Sequence, residues 1–364
     1  GRAPKATPFS KDPLHYVLVN GDVISEVVSR QSPITYPVVM LFVVFNLASR
    51  RVGEMGWRVE APARLHLGFT STGDVLTPWL GIGLAVEEPR TVVEARWSGN
   101  PGVAVSGDIW PEAVEVAGAI YEELGTEAGV EVAVLGSPPR HVGLGTSTQL
   151  YLSILRSMAL LVGKRLDESV LVRRGFVGRF SWVGIAAFKA GGFVLDLGVG
   201  AGGRRSFLSL RFPEDWVVLL ARPRGRYGHP RRGEAEKMLG LRYGSDRELV
   251  LCRLLFQQIL PGLLDRDLAL FGEGLSRYQR IVGEAFAHLQ RGVFNPDSAP
   301  VIAAMEEHGL LGTGQSSWGP TCYGFTESQK RAEEVKRLLV ESYSCEAWVT
   351  RANNQGARVF QTAT

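Results

Sequence analysis

The stretch Pro139-Arg140-His141-Val142-Gly143-Leu144-Gly145-Thr146-Ser147-Thr148-Gln149 decides how this chain is read. Before it, Val132 and Val134 mark a short strand by their period of two. After it, Tyr151, Leu155, Met158 and Val162 share one helical face with Leu150, Ile154 and Leu161 beside them, a stripe wide enough for a buried helix. Gly143 and Gly145 let the backbone between the two turn tightly and come close to a ligand. The free amides and positive dipole of a helix start attract phosphate, and Thr146, Ser147 and Thr148 add hydroxyl donors. Thr146 and Gln149 also have capping-box spacing, so a helix cap without a ligand is the competing reading. No Lys follows the second glycine, and the G-x-x-x-x-G-K spacing is missing, so this is not a Walker A loop.

A chain of 364 residues has room for two domains, and 45% apolar with 21% charged residues is the composition of an ordinary folded enzyme. A net charge of +3 suits a local anionic ligand and does not call for a nucleic-acid polymer. Cys252, Cys322 and Cys345 form no C-x-x-C pair, which indicates neither a disulfide framework nor a zinc cluster and suggests a reducing, cytoplasmic setting. The longest apolar run, Pro37 to Ala48, is short of a membrane span and does not read as a signal peptide.

Residues 1–54 carry Pro4, Pro8, Pro13 and Pro33 without a sustained period and are expected to be a poorly ordered extension, the competing reading being an extra strand or helix at 35–48 packed on the body. A strand pattern begins after Met55, a candidate natural start, with Trp57, Val59 and Ala61 alternating with Arg58 and Glu60. Residues 55–205 read as a first α+β domain and 206–364 as a second, opened by the apolar strand Trp216 to Ala221. Leu268, Phe271, Leu275, Tyr278, Val282, Ala285 and Leu289 predict a long amphipathic helix after Pro261, which is expected to close the helix before it. Arg222, Arg224, Arg226, Arg231 and Arg232, with Tyr227 and His229, form a basic loop that reads first as solvated surface and second as a flap over a site.

Three more segments narrow the reading. Ala61-Pro62-Ala63-Arg64-Leu65-His66-Leu67-Gly68-Phe69, Gly191-Gly192-Phe193-Val194-Leu195-Asp196 and Gly312-Thr313-Gly314-Gln315-Ser316-Ser317-Trp318-Gly319-Pro320-Thr321-Cys322-Tyr323-Gly324 follow one another in the chain. Together with the glycine loop they resemble the motifs of the β-ribofuranosylaminobenzene 5′-phosphate synthases, in the GHMP-kinase superfamily. The resemblance covers residues 57 to 345 and implies a two-domain α+β fold, with a ribosomal-protein-like N-terminal domain and a ferredoxin-like C-terminal domain. It also implies a reaction in which phosphoribosyl pyrophosphate and an aromatic acid, 4-aminobenzoate or 4-hydroxybenzoate, combine with loss of carbon dioxide and diphosphate. Mg²⁺ as cofactor, a homodimer and a place in methanopterin-type cofactor synthesis follow from the same resemblance.

On that reading Arg64, His66, Gln315 and Ser316 are the catalytic candidates. Gly143, Leu144, Gly145, Thr146, Ser147 and Thr148 would hold the diphosphate, Ser181, Asp196, Ser317 and Trp318 the substrates, and Ser147 with Asp196 the metal. The superfamily's kinases place a base after a Ser-Gly pair, whereas Ser181-Trp182-Val183-Gly184-Ile185-Ala186 holds no carboxylate here. An ATP-dependent kinase is therefore the weaker alternative. A silent binding module is the third, because Trp182 stands where the synthases carry Gly, a departure that leaves the shape of the acceptor pocket open.

Overall fold

The alternation that starts at Met55 becomes a strand of 15 residues, Met55–Phe69, in the computed structural model. Pro62 has no N–H to give its ladder, and the register with the next strand shifts between Ala61 and Ala63. A second shift lies between His66 and Gly68, whose φ of 125° only glycine adopts readily, so the strand bends twice within the segment carrying Arg64 and His66. The structure describes residues 18–19, 22–23, 55–72, 79–107, 110–200, 202–225, 238 and 241–363. The predicted element at 35–48 and the basic loop from Arg226 onward lie outside them.

In chain order the strands are β1 (Leu18–Val19), β2 (Asp22–Val23), β3 (Met55–Phe69), β4 (Leu80–Ser98), β5 (Val103–Gly107), β6 (Gly129–Gly136), β7 (Phe193–Val199), β8 (Arg205–Leu210), β9 (Val217–Pro223), β10 (Leu311–Gln315), β11 (Cys322–Thr326), β12 (Cys345–Thr350) and β13 (Arg358–Ala363). The helices are α1 (Pro111–Leu124), α2 (Thr146–Val162), α3 (Ser169–Arg173), α4 (Val183–Lys189), α5 (Ser245–Leu254), α6 (Leu260–Leu264), α7 (Leu268–Gln290), α8 (Ala299–Glu307) and α9 (Gln329–Ser342). The first sheet runs β13-β3-β4-β7-β8-β1-β2, with β6 and β5 added beside β4. The second is antiparallel, in the order β10-β11-β9-β12.

The expected boundary after residue 205 moves, because β8 pairs with β7 in the first sheet and carries that unit to Leu210. The last strand also returns to the first sheet, where β13 pairs with β3 from Arg358–Glu60 to Ala363–Met55. Pro261 does not end its helix. It sits in the first turn of α6, which continues α5 through the π-helical turn Leu255–Ile259, a place where a missing N–H is tolerated. The predicted long helix is α7, capped by Asp267, whose carboxylate accepts from the Leu270 amide at 2.9 Å.

The two sheets share one core. Leu65 and Leu84 from the first sheet cluster with Val218, Leu220, Tyr323 and Phe325 from the second and with Phe271, Leu275 and Tyr278 from α7. Strand β9 is buried on both faces: Val218 and Leu220 point into this shared cluster, and Leu219 and Ala221 into a second one under α8 and α9. Helices α1 and α2 cover Val93, Ala95, Val130 and Val132 on the far side of the first sheet.

Phe271 stands at the centre, with ring contacts to Phe193, Phe212, Trp216 and Phe325. Phe271→Ala should cost about 3–5 kcal/mol through the cavity it leaves. Because the core is common to both sheets, calorimetry should show one transition moving down as a whole. Two separate transitions, with only one displaced, would contradict the shared core.

Candidate active site

Helix α2 begins directly at the glycine loop, with Gly145 as its N-cap at φ 70° and no side chain capping it. The capping-box reading fails, since the Thr146 hydroxyl donates to the Pro139 carbonyl at 3.0 Å and the Gln149 amide to the Gly184 carbonyl at 2.9 Å. The amides of the first helical turn have no intrahelical acceptor, an arrangement that suits an anion. The loop's carbonyls are tied back to protein instead: Leu144 accepts from the Arg64 amide at 3.0 Å, and Val142 from the Thr321 amide at 3.2 Å. The Gly143 carbonyl accepts from the Ser316 hydroxyl at 2.5 Å.

The glycines also have a task within the protein, beside the expected close approach of a ligand. A Cβ on Gly143 would stand 2.4 Å from the Ser316 carbonyl oxygen, and one on Gly145 would stand 3.2 Å from Arg64 Nε. Both positions make room for other parts of this chain.

The loop opens onto a cleft of about 330 Å³, into which the structure brings Arg64, His66, Gly143 to Thr148, Ser181, Ser317 and Trp318 from the predicted set. Sequence reasoning missed Phe69, His141, Met238 and the segment Gly175 to Phe180, including the exposed Arg179. The adjacency of Arg179 and Phe180 to Ser181 was the available signal, and Arg179 lies over the Phe180 ring at 5.3 Å. No carboxylate occurs among the described lining residues.

His66 is buried, and its Nδ1 accepts from the Gly68 amide at 3.2 Å. The proton therefore resides on Nε2, which donates to Ser181 Oγ at 3.2 Å. Burial first, and then the charge of Arg64, hold the His66 pKa well below the ordinary histidine value. The imidazole is neutral.

Ser181 Oγ accepts from the Val183 amide at 3.1 Å, and its hydroxyl bonds to Asp196. Asp196 does not reach the cleft, contrary to its expected role with substrate and metal. Its carboxylate accepts from the Trp182 amide at 2.5 Å and the Gly198 amide at 3.1 Å, and pairs with Arg205 at 3.4 Å. Burial pushes its pKa up, against the pull of Arg205 and those amides. Arg205 in turn donates to the Phe180 carbonyl at 3.1 Å, so this buried pair holds the loop that forms one cleft wall.

Trp182 lines neither the cleft nor its annex; it stands behind Gly178, a residue of the cleft wall. The Gln315 side chain is also occupied: it donates to Gln290 Oε1 at 2.9 Å and the Ser317 carbonyl at 3.0 Å, and accepts from the Asn295 amide at 2.7 Å. Ser316 joins His66 and Gly143, accepting from the His66 amide at 2.9 Å. Gln315 and Ser316 thus position the site and have no spare side-chain hydrogen for a ligand.

A smaller apolar annex of about 40 Å³ adjoins the cleft, sharing His66, Phe69, Met238, Ser317 and Trp318 with it. Phe286 meets Trp318 edge to face at 4.8 Å there. A resident Mg²⁺ normally takes one or two carboxylates. Ser147 lines the cleft, whereas Asp196 does not and is already engaged by Arg205 and the Trp182 and Gly198 amides, so the expected pair does not converge on one metal position.

Two sheets around a cleft fed by a glycine loop and a helix start define the class of the GHMP kinases. The family described as "GHMP kinases C terminal" matches residues 259–345. Homoserine kinase from Cytophaga hutchinsonii superposes with a TM-score of 0.66 at 21% identity, over 86% of this chain and 100% of that one. A mevalonate kinase does so with a TM-score of 0.63 at 11% identity, over 82% and 99%. These likenesses establish the fold.

The sequence relatives are more specific. β-Ribofuranosylphenol 5′-phosphate synthase of Archaeoglobus fulgidus is 30% identical over 329 residues, 83% of this chain and 99% of the relative. The protein of the same name from Methanocaldococcus jannaschii is 24% identical over 340 residues, again 83% and 99%. The chain belongs to the β-ribofuranosylphenol 5′-phosphate synthase family.

The neutral His66 sets a pH dependence. Unfolded histidine binds a proton near pH 6.5 and the folded imidazole does not, so the unfolded state holds more protons below that pH. This contribution to stability is complete above 6.5 and is lost as pH falls, by up to about 1.4 kcal/mol per pH unit. Denaturant titrations of wild type and His66→Gln between pH 7.5 and 5 should show a shallower loss in the variant. Parallel curves would mean that His66 takes up its proton over the same pH range in the folded protein as in the unfolded chain.

Proposed function

We propose that this enzyme transfers the phosphoribosyl group of phosphoribosyl pyrophosphate to 4-hydroxybenzoate, releasing diphosphate and carbon dioxide and leaving a ribofuranosylphenol 5′-phosphate. The observation that carries the reading is the joining of an anion-binding cleft, without a carboxylate among its described residues, to an apolar annex. A kinase would need a base for its acceptor hydroxyl, and the described lining supplies none. Ring attack needs no such base. The phenol in the name of the A. fulgidus relative supports a hydroxybenzoate over an aminobenzoate as acceptor. Such a product suits a methanopterin-type pathway.

In the first step the bond from the anomeric carbon to diphosphate breaks, its electron pair leaves with diphosphate, and the carboxylate-bearing ring carbon forms the new bond to the sugar. In the second, the carbon–carboxylate bond breaks and its pair restores the aromatic ring. The amides of Thr146, Ser147 and Thr148 at the start of α2 would receive the departing negative charge, and Arg64 beside Gly145 would add a fixed cation. His66, neutral, places no positive charge against the developing ribosyl cation. Mg²⁺ is proposed as a companion of the diphosphate and carries no step in this scheme.

With carboxyl-labelled 4-hydroxybenzoate and phosphoribosyl pyrophosphate, labelled carbon dioxide and diphosphate should appear one for one. Arg64→Met, which keeps the length and loses the charge, should slow both by about 100-fold. Diphosphate without carbon dioxide, or ATP consumed by a hydroxyl acceptor, would overturn the proposal.

A further inference from the structure

The annex of about 40 Å³ is too small for a whole arene, since an apolar cavity that binds benzene measures about 150 Å³. It can take the leading part of a ring whose remainder stands in the cleft. The transfer chemistry decides which part that is. The carbon that attacks the sugar is the one bearing the carboxylate, so that edge must stay in the cleft near the start of α2. The opposite edge, para to the carboxylate, then points into the annex. We infer that the annex built by Val282, Phe286 and Trp318 receives the para edge of the acceptor ring and selects a hydroxyl there. This rests on the transfer reading and adds to it the direction of the ring and the residues that choose the acceptor.

The polar atoms of the annex favour a hydroxyl. Gln279, Gln290 and Gln315 all line it and are buried. Gln315 spends both amide hydrogens on Gln290 and Ser317, whereas Gln290 spends one on Val293 and Gln279 one on Leu67 among the described residues. Each of the three side-chain oxygens accepts one bond, from Asn295, Gln315 Nε2 and the Gln315 amide. An amide oxygen can accept two bonds and an amide nitrogen can donate two. The set therefore retains both donor and acceptor capacity, which a hydroxyl meets with its own hydrogen and lone pairs and a methyl group cannot meet at all. Around these amides the walls are apolar or aromatic, as a ring face requires.

The test compares acceptors and variants at saturating phosphoribosyl pyrophosphate, reading diphosphate and carbon dioxide together. Wild type should prefer 4-hydroxybenzoate to benzoate and 4-methylbenzoate by about 10- to 100-fold in kcat/KM. Val282→Phe, which fills the annex from α7, should raise the acceptor KM at least tenfold, with phosphoribosyl pyrophosphate affinity by calorimetry and the melting temperature close to wild type. Should that variant fold poorly, Phe286→Leu enlarges the annex instead and should admit 6-hydroxy-2-naphthoate, which wild type refuses. Equal use of 4-methylbenzoate and 4-hydroxybenzoate by wild type would overturn the inference, as would a folded Val282→Phe with an unchanged acceptor KM. Failure of wild type to release diphosphate with any of these acids would instead sink the transfer reading beneath it.

Discussion

One hydroxyl holds the two halves of the site together. Ser316 donates to the Gly143 carbonyl and accepts from the His66 amide, so a residue of the second sheet's loop is bonded to both the glycine loop and β3. The neighbouring Ser317 amide donates to the His66 carbonyl at 3.0 Å, which fixes the same junction from the other side. These groups are withdrawn from water, where each unmade bond would cost about 1–3 kcal/mol. Gly143 is glycine because this junction leaves no space for a side chain. The carbonyls of the loop are consumed by the junction, and the amides at the helix start are left for an anion.

The charges around the cleft follow from that arrangement. Arg64 and His66 are two residues apart on β3, and the cation helps to keep the imidazole neutral. Ser181 passes the hydrogen bonding of His66 on to Asp196, and Asp196 with Arg205 holds the opposite wall. The ion pair is buried at the back of the site, where its geometry fixes the loop's position without adding a negative charge to the face that carries the glycine loop. Groups held in place before substrate arrives need little reorganisation during reaction.

Much of this was legible because the signals were local. The glycine loop between a strand and a helix, the alternation after Met55 and the apolar face of α7 each declare themselves within a few turns of chain. The line of catalytic and positioning residues did not. Gln315 and Ser316 look like ligand donors in the sequence, and only their partners Gln290, Asn295, Gly143 and His66 show that they are already engaged. Asp196 looks like a metal ligand until Arg205 and the Trp182 amide are found around it. Trp182 reads in the sequence as a change in the acceptor pocket, and only the fold shows that it stands one layer back, behind Gly178. In each case the deciding contact is made by a group whose identity the local pattern does not encode, and the same holds for the return of β13 to the first sheet.

That return has a consequence for how the chain is made. Strand β3 pairs with β4 on one side as soon as both are synthesised, but its other edge waits for Arg358 to meet Glu60. At about 5–20 residues per second, the ribosome needs roughly 15 to 60 s to make the ~300 residues between them. Throughout that interval the nascent chain carries an open β-edge, which is a template for pairing with a neighbouring polypeptide. Arg58 and Glu60 on this strand, the one paired with Glu94 and the other with Arg90, set charge along the waiting edge. Synthesis of Arg358–Ala363 is therefore the moment at which β3 is covered, and β13, the shorter strand, then takes its place as the edge of the first sheet.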